Sequence, residues 1–157
     1  MEVAINWKYG TAYILGLWLG ILALMFGQKA GGLAICLLAT NVIMHEWTHI
    51  YSAQAAKVDI QRVSIFGDSF VDFGIPADLK GVPYDMLRKI QLVFLSGFYF
   101  DFITWFFALF LLWNSGDIGY AILSIGLFAM FVFFNLQKKS DISESIRIEK
   151  FLRANKV

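Results

Sequence analysis

Leu33-Ala34-Ile35-Cys36-Leu37-Leu38-Ala39-Thr40-Asn41-Val42-Ile43-Met44-His45-Glu46-Trp47-Thr48-His49 joins an apolar run to a chelating pair. The run that contains it, from Gly31 to Ala56, is long enough to cross a bilayer as one helix. Within it, His45-Glu46-Trp47-Thr48-His49 reads His-Glu-x-x-His, and these are the only two histidines of the chain. On a helix, positions i and i+4 share a face. Both imidazoles can therefore grip one zinc ion while Glu46 reaches the water the metal carries. Scattered at random, two histidines would show this spacing with a glutamate after the first on the order of once in a few thousand chains. Two unrelated histidines packed against Trp47 are the plainer alternative.

Composition sets the class. Hydrophobic residues make up 59% of the 157 residues and charged residues 16%. With a mean hydropathy of +0.65, this is the profile of a membrane protein. The length suits one membrane-embedded domain over residues 1–157. Cys36 is the only cysteine, which excludes an intrachain disulfide and suits a small packing residue. No phosphate loop, internal repeat or basic stripe is present, so no nucleic-acid partner is expected.

Four segments read as spans: residues 11–26, 31–56, 90–113 and 118–136. A cleaved signal peptide competes for the first. Lys8 is the only basic residue before it and no small-x-small site follows, so a retained span is preferred. Pro76 and Pro83, the only prolines, fall between spans two and three. With four spans, twelve of the thirteen Lys and Arg residues lie on one side and only Lys29 on the other. The positive-inside rule puts that side, with both termini, in the cytoplasm. The expected fold is an α-helical integral membrane protein of about four transmembrane helices. The expected setting is multi-pass in a prokaryotic cell membrane.

His45 and His49 lie twelve and eight residues before Lys57, about 18 and 12 Å from the cytoplasmic end of their span. Ionisable groups at such depth are expensive and point to function. A catalytic zinc, one per chain, takes three protein ligands and leaves a position for water. Asp141, Asp101, Glu144 and Glu149 are the candidates for the third. Asp141 follows span four where the helix unwinds, and Asp101 lies about 17 Å into span three, close to the depth of His45. Geometry alone allows either. Asn41 lies one turn before His45 on the same face, as a site residue or a helix–helix contact.

The chain resembles the site-2 protease family of intramembrane zinc metalloproteases. His45-Glu46-x-x-His49, followed by Ala53 and an extended basic segment, looks like its first motif. Ser96-Gly97-Phe98-Tyr99-Phe100-Asp101 resembles the Gly-Pro-x-x-Asn element, with Phe98 for proline and Asp101 for asparagine. Asn135-x-x-x-x-Ser140-Asp141 resembles Asn-Pro-x-x-x-x-Asp-Gly, with Leu136 for proline and Ile142 for glycine. The similarity covers roughly residues 33–143. It implies that Asp141 is the third ligand, that Asp101 orients a histidine, and that Asn135 binds substrate backbone. Transmembrane proteins or peptides would be the substrates, cut near the cytoplasmic face with Glu46 as general base. One rival is a membrane zincin of another lineage using Glu144 or Glu149. Another is a non-catalytic zinc-binding membrane interaction or immunity protein. Control by a regulatory membrane partner or by homo-oligomerisation stays open.

Between spans two and three, residues 60–66 and 69–75 are β-type runs joined by Gly67-Asp68, a tight hairpin. Its open edge could hold an unwound substrate by strand addition, or its Phe66, Phe70 and Phe73 could dip into lipid headgroups. The tail, residues 142–155, reads as a basic amphipathic helix lying on the inner leaflet of the bilayer, with Ile142, Ile146 and Phe151-Leu152 as its apolar face.

Overall fold

The computed structural model describes residues 2–5, 10–65, 70–73, 79–137 and 140–155. Along the chain these form β1 (Glu2–Ile5), α1 (Gly10–Met25), α2 (Lys29–Ala56), β2 (Arg62–Ile65), β3 (Phe70–Asp72), α3 (Tyr84–Trp113), α4 (Ile118–Asn135) and α5 (Asp141–Ala154). The four apolar segments are helices within a residue or two of the expected bounds, except that α3 starts at Tyr84 instead of Ile90. Pro83 stands just before its first turn and its carbonyl accepts the Leu87 N–H at 3.0 Å. Leu87 and Ile90 are buried while Lys89 is exposed. The basic pair at 88–89 thus marks a change in what the helix faces, not its beginning.

Among the described residues, α3 is the one unbroken helix long and apolar enough to cross a membrane. α2 joins it if its halves, Lys29–Asn41 and Ile43–Ala56, bent by 46°, count as one span. The bend follows Thr40, whose hydroxyl donates back to the Cys36 carbonyl at 2.9 Å, a bond that competes with the helical ladder. α1 and α4 are apolar and shorter.

α1 packs on α2, α2 on α3, and both α4 and α5 on α3. Gly16-x-x-x-Gly20 on α1 lets the first pair approach closely. A Cβ at Gly20 would lie 2.6 Å from Cys36 Sγ and 3.0 Å from the Gly32 carbonyl oxygen. Cys36 is therefore a packing residue. α2 ends in a Schellman motif: Lys57 takes the left-handed conformation (φ 56°), and the Val58 N–H reaches back to Ala53 O at 2.9 Å.

Two buried clusters hold the helices. The larger gathers Ala53, Val58, Val63, Phe73, Leu79, Leu87, Ile90, Val93, Ile148 and Leu152 from the end of α2, the sheet region, the start of α3, and α5. The smaller, Ala34, Ala108 and Leu112, lies near the start of α2 and the end of α3. Away from these clusters the large apolar side chains of α1, α3 and α4 are mostly exposed, among them Trp18, Phe106 and Ile122.

β2 and β3 pair antiparallel as the expected hairpin, with Val63 opposite Val71, and its turn lies outside the described residues. β1 was not anticipated. It pairs parallel to β2, Glu2 with Arg62 through Ile5 with Ile65, so β2 is the middle strand. Two readings are corrected by the packing. Phe73 does not dip into headgroups: it is buried, edge-on to Phe94 at 5.3 Å between ring centroids. Of the other two, Phe66 lies outside the described residues. In α5, the inward face is Ser145, Ile148 and Leu152, held against α3, while Ile146 is exposed. The tail helix is therefore docked on protein along its buried face.

Candidate metal centre

Three helices converge beside the larger cluster. α2 brings Asn41, His45, Glu46 and His49 on its face toward α3; α3 brings Val93, Gly97 and Asp101; α5 begins with Asp141. His49 Nδ1 lies 3.0 Å from the Val93 carbonyl oxygen. A carbonyl only accepts, so this nitrogen carries the proton and Nε2 keeps its lone pair. His45 Nδ1 stands 2.9 Å from Asp101 Oδ1, off the hydrogen-bond line, an electrostatic contact that fixes the ring in the same sense. Asp101 is itself held by Asn41, whose Nδ2 donates to Oδ1 at 2.7 Å.

Both Nε2 atoms then face one point. They lie 3.0 Å apart, and Asp141 Oδ2 is 3.0 Å from His49 Nε2 and 3.2 Å from that of His45. Three electron-rich atoms at this separation repel unless a cation stands among them, a proton or a metal ion. Tetrahedral zinc, with bonds of about 2.0–2.1 Å, sets neighbouring ligand atoms about 3.3 Å apart. A spread of a few tenths of an ångström fits the triangle to zinc, and two imidazoles with one carboxylate are a donor set zinc accepts.

Asp141 arrives through the local chemistry of α5. Ser140 is the N-cap, its hydroxyl accepting the Ser143 N–H at 3.3 Å and donating to Asn135 O at 2.7 Å. Acidic Asp141 and Glu144 fill the first turn and Arg153 the last, as the helix dipole favours. That place at the positive end of α5 favours the carboxylate form of Asp141, whose Oδ2 faces both Nε2 atoms.

Glu46 is 2% exposed and its Oε2 has no partner among the described residues. A buried carboxylate oxygen left bare is costly in a purely structural role and suits one that must accept a proton. His45, Asp101 and Asp141 keep 17–20% of their side-chain surface against 3% for His49, so the centre opens on the His45 side.

The remaining candidates lie apart. Asn135 donates its Nδ2 to its own helix, to Phe131 O at 2.9 Å. Glu144 pairs with Arg147, and Glu149 with Arg88 and Arg153. Two participants were missed in the sequence. The Val93 carbonyl carries no side-chain signal. Gly97 was noticed only inside a motif, although a glycine in the middle of a long apolar helix is itself a sign of close approach. A Cβ there would overlap the His49 ring and come within 2.6 Å of Asp141 Oδ2.

Glu149 gives a pH expectation. Hydrogen bonds from Arg153, Gln91 and Arg88 hold its carboxyl down at about 2, from an ordinary 4.5. A depressed carboxylate contributes stability that is complete above the ordinary value and is lost as pH falls through the folded one. The attachment of α5 to α3 should hold down to about pH 4.5 and loosen between there and pH 2. Hydrogen exchange of α5 amides, followed against pH, would show it; exchange flat across that window would refute it.

No family model matches the chain, and comparison with curated proteins and with solved structures gives no match.

Proposed function

We propose that the chain is an integral membrane zinc endopeptidase that hydrolyses peptide bonds in or near transmembrane segments. One observation carries this: His45 Nε2, His49 Nε2 and Asp141 Oδ2 converge from two helices, with both imidazoles anchored through Nδ1 and Glu46 buried beside them. Zinc in that triangle supplies a water acidified toward neutrality and polarises the scissile carbonyl. The residues do the rest. Glu46 takes the proton of the attacking water and returns it to the leaving amine. Val93 and Asp101 hold the two rings so that Nε2 stays directed inward.

Membrane insertion is supported by exposure. In the most apolar stretch of α3 only 17% of residues are buried, unlike the core helix of a water-soluble protein. On this reading α1, α2, α3 and α4 span the bilayer, the shorter two with local thinning and snorkelling of flanking side chains. The sheet and α5 lie on the cytoplasmic side. β1 covers one edge of β2, leaving the outer edge of β3 for an extended substrate. That edge leads inward through Phe73 and Phe94, whose ring lies 6.2 Å from that of His49. The resemblance to site-2 proteases agrees with this arrangement.

Zinc stoichiometry on detergent-purified protein is the test. One zinc per chain is expected, lost on gel filtration of Asp141→Ala and retained, with weaker affinity, by Asp101→Ala. Zinc kept by Asp141→Ala and lost by Asp101→Ala would move the ligand to α3. No zinc after reconstitution would end the enzyme reading.

A further inference from the structure

We propose that Gln91, together with Arg88 and Glu149, is a positioning device that sets where Asp141 stands along the two histidines, an inference that rests on the zinc site proposed above. Gln91 is 8% exposed, and both ends of its amide are used. Its Nε2 donates to the Ser145 carbonyl at 3.3 Å and to Glu149 Oε2 at 3.1 Å, and its Oε1 accepts from Arg88 Nη1 at 2.9 Å. Arg88 also pairs directly with Glu149. The α3 residues of this network thus grip α5 at two points, four and eight residues after Asp141. At about 1.5 Å per residue these points lie roughly 6 and 12 Å from it along the helix.

Apolar contacts cannot do this job alone. Ile148 and Leu152 hold α5 down, but hydrophobic burial is non-directional and permits sliding. A slip by one residue moves a helix about 1.5 Å. Zinc ligands tolerate about 0.2 Å. Hydrogen bonds to a fixed carbonyl and a fixed carboxylate define the register that the apolar face leaves loose. Gln91 also stands two residues before Val93, whose carbonyl holds His49. One stretch of α3 therefore sets both a histidine and the carboxylate that must meet it. A buried glutamine is expensive when unpaired, and here two of its three bonds cross to α5 while the third ties it to Arg88.

The test is a double-mutant cycle on the full chain in lipid nanodiscs, with zinc affinity measured by chelator competition and cobalt(II) absorption as the signature of the ligand set. Gln91→Leu should weaken zinc about tenfold and shift the cobalt band, as loss of an outer partner does. In the Asp141→Ala background, where only the residual two-histidine affinity remains, Gln91→Leu should change it less than twofold, because it acts through Asp141. Equal losses in both backgrounds would mean general destabilisation and would overturn the inference, as would an unchanged affinity and cobalt band in Gln91→Leu. Arg88→Lys, which leaves the buried amide in place but removes the planar fork, runs the same cycle if Gln91→Leu does not fold. An unsubstituted chain that binds no zinc fails the metal site itself. Zinc bound at full strength by every clamp variant fails only the positioning role.

Discussion

Glu46→Gln is expected to keep its zinc and to lose hydrolysis of single-span membrane peptides about 100- to 10,000-fold, the range a positioned general base contributes. Glutamine has the same shape, so the buried site between α2 and α3 does not collapse around it. It cannot take a proton. Retention of metal follows because Glu46 is outside the triangle formed by His45, His49 and Asp141. The bare Oε2 is central to the expectation. A structural glutamate would be tied to a donor, and its replacement would show in stability before activity. Zinc content by atomic absorption and cleavage by mass spectrometry, on the same preparation, decide it. Activity within a few-fold of the unsubstituted protein would remove Glu46 from the chemistry. Loss of zinc together with activity would make it a structural residue of the metal site.

The helices were legible because long apolar runs carry their own boundaries, and α1, α2 and α4 fall almost where hydropathy puts them. His45, Glu46 and His49 were legible for another reason: i and i+4 spacing is local, so a helix alone brings them together. Asp141 is different. It stands 92 residues from His49, and that contact is made by two helices docking on a third. Position along the spans left Asp141 and Asp101 both open, and only resemblance to a motif chose between them. β1 escaped notice because Glu2-Val3-Ala4-Ile5 is too short for a periodic signal and its partner β2 is some sixty residues away. The inward face of α5 was misjudged because its apolar residues are few, and Ser145 and Ile148 face inward only when α3 supplies Gln91 and an apolar wall. Hydropathy reports what a residue prefers, and docking decides which preferences are met.

Gly97→Ala should abolish tight zinc binding while leaving the chain folded, with affinity falling at least about 100-fold. The fold is safe because the two effects on α3 oppose each other. Alanine is better than glycine inside a helix by about 1 kcal/mol. Overpacking costs about 1–3 kcal/mol. The metal site has no such margin, since the new methyl occupies space now held by the His49 ring and lies 2.6 Å from Asp141 Oδ2. Relief requires moving His49, Asp141 or the whole of α3 by several tenths of an ångström, more than the roughly 0.2 Å that coordination allows. Gly126→Ala on α4, where a Cβ meets nothing within 4 Å, is the matched control and should bind zinc normally. Circular dichroism establishes that both variants are helical, and zinc titration separates them. Equal affinities in the two variants would mean that α3 does not approach the ligands closely, and with that the three-helix metal centre would fall.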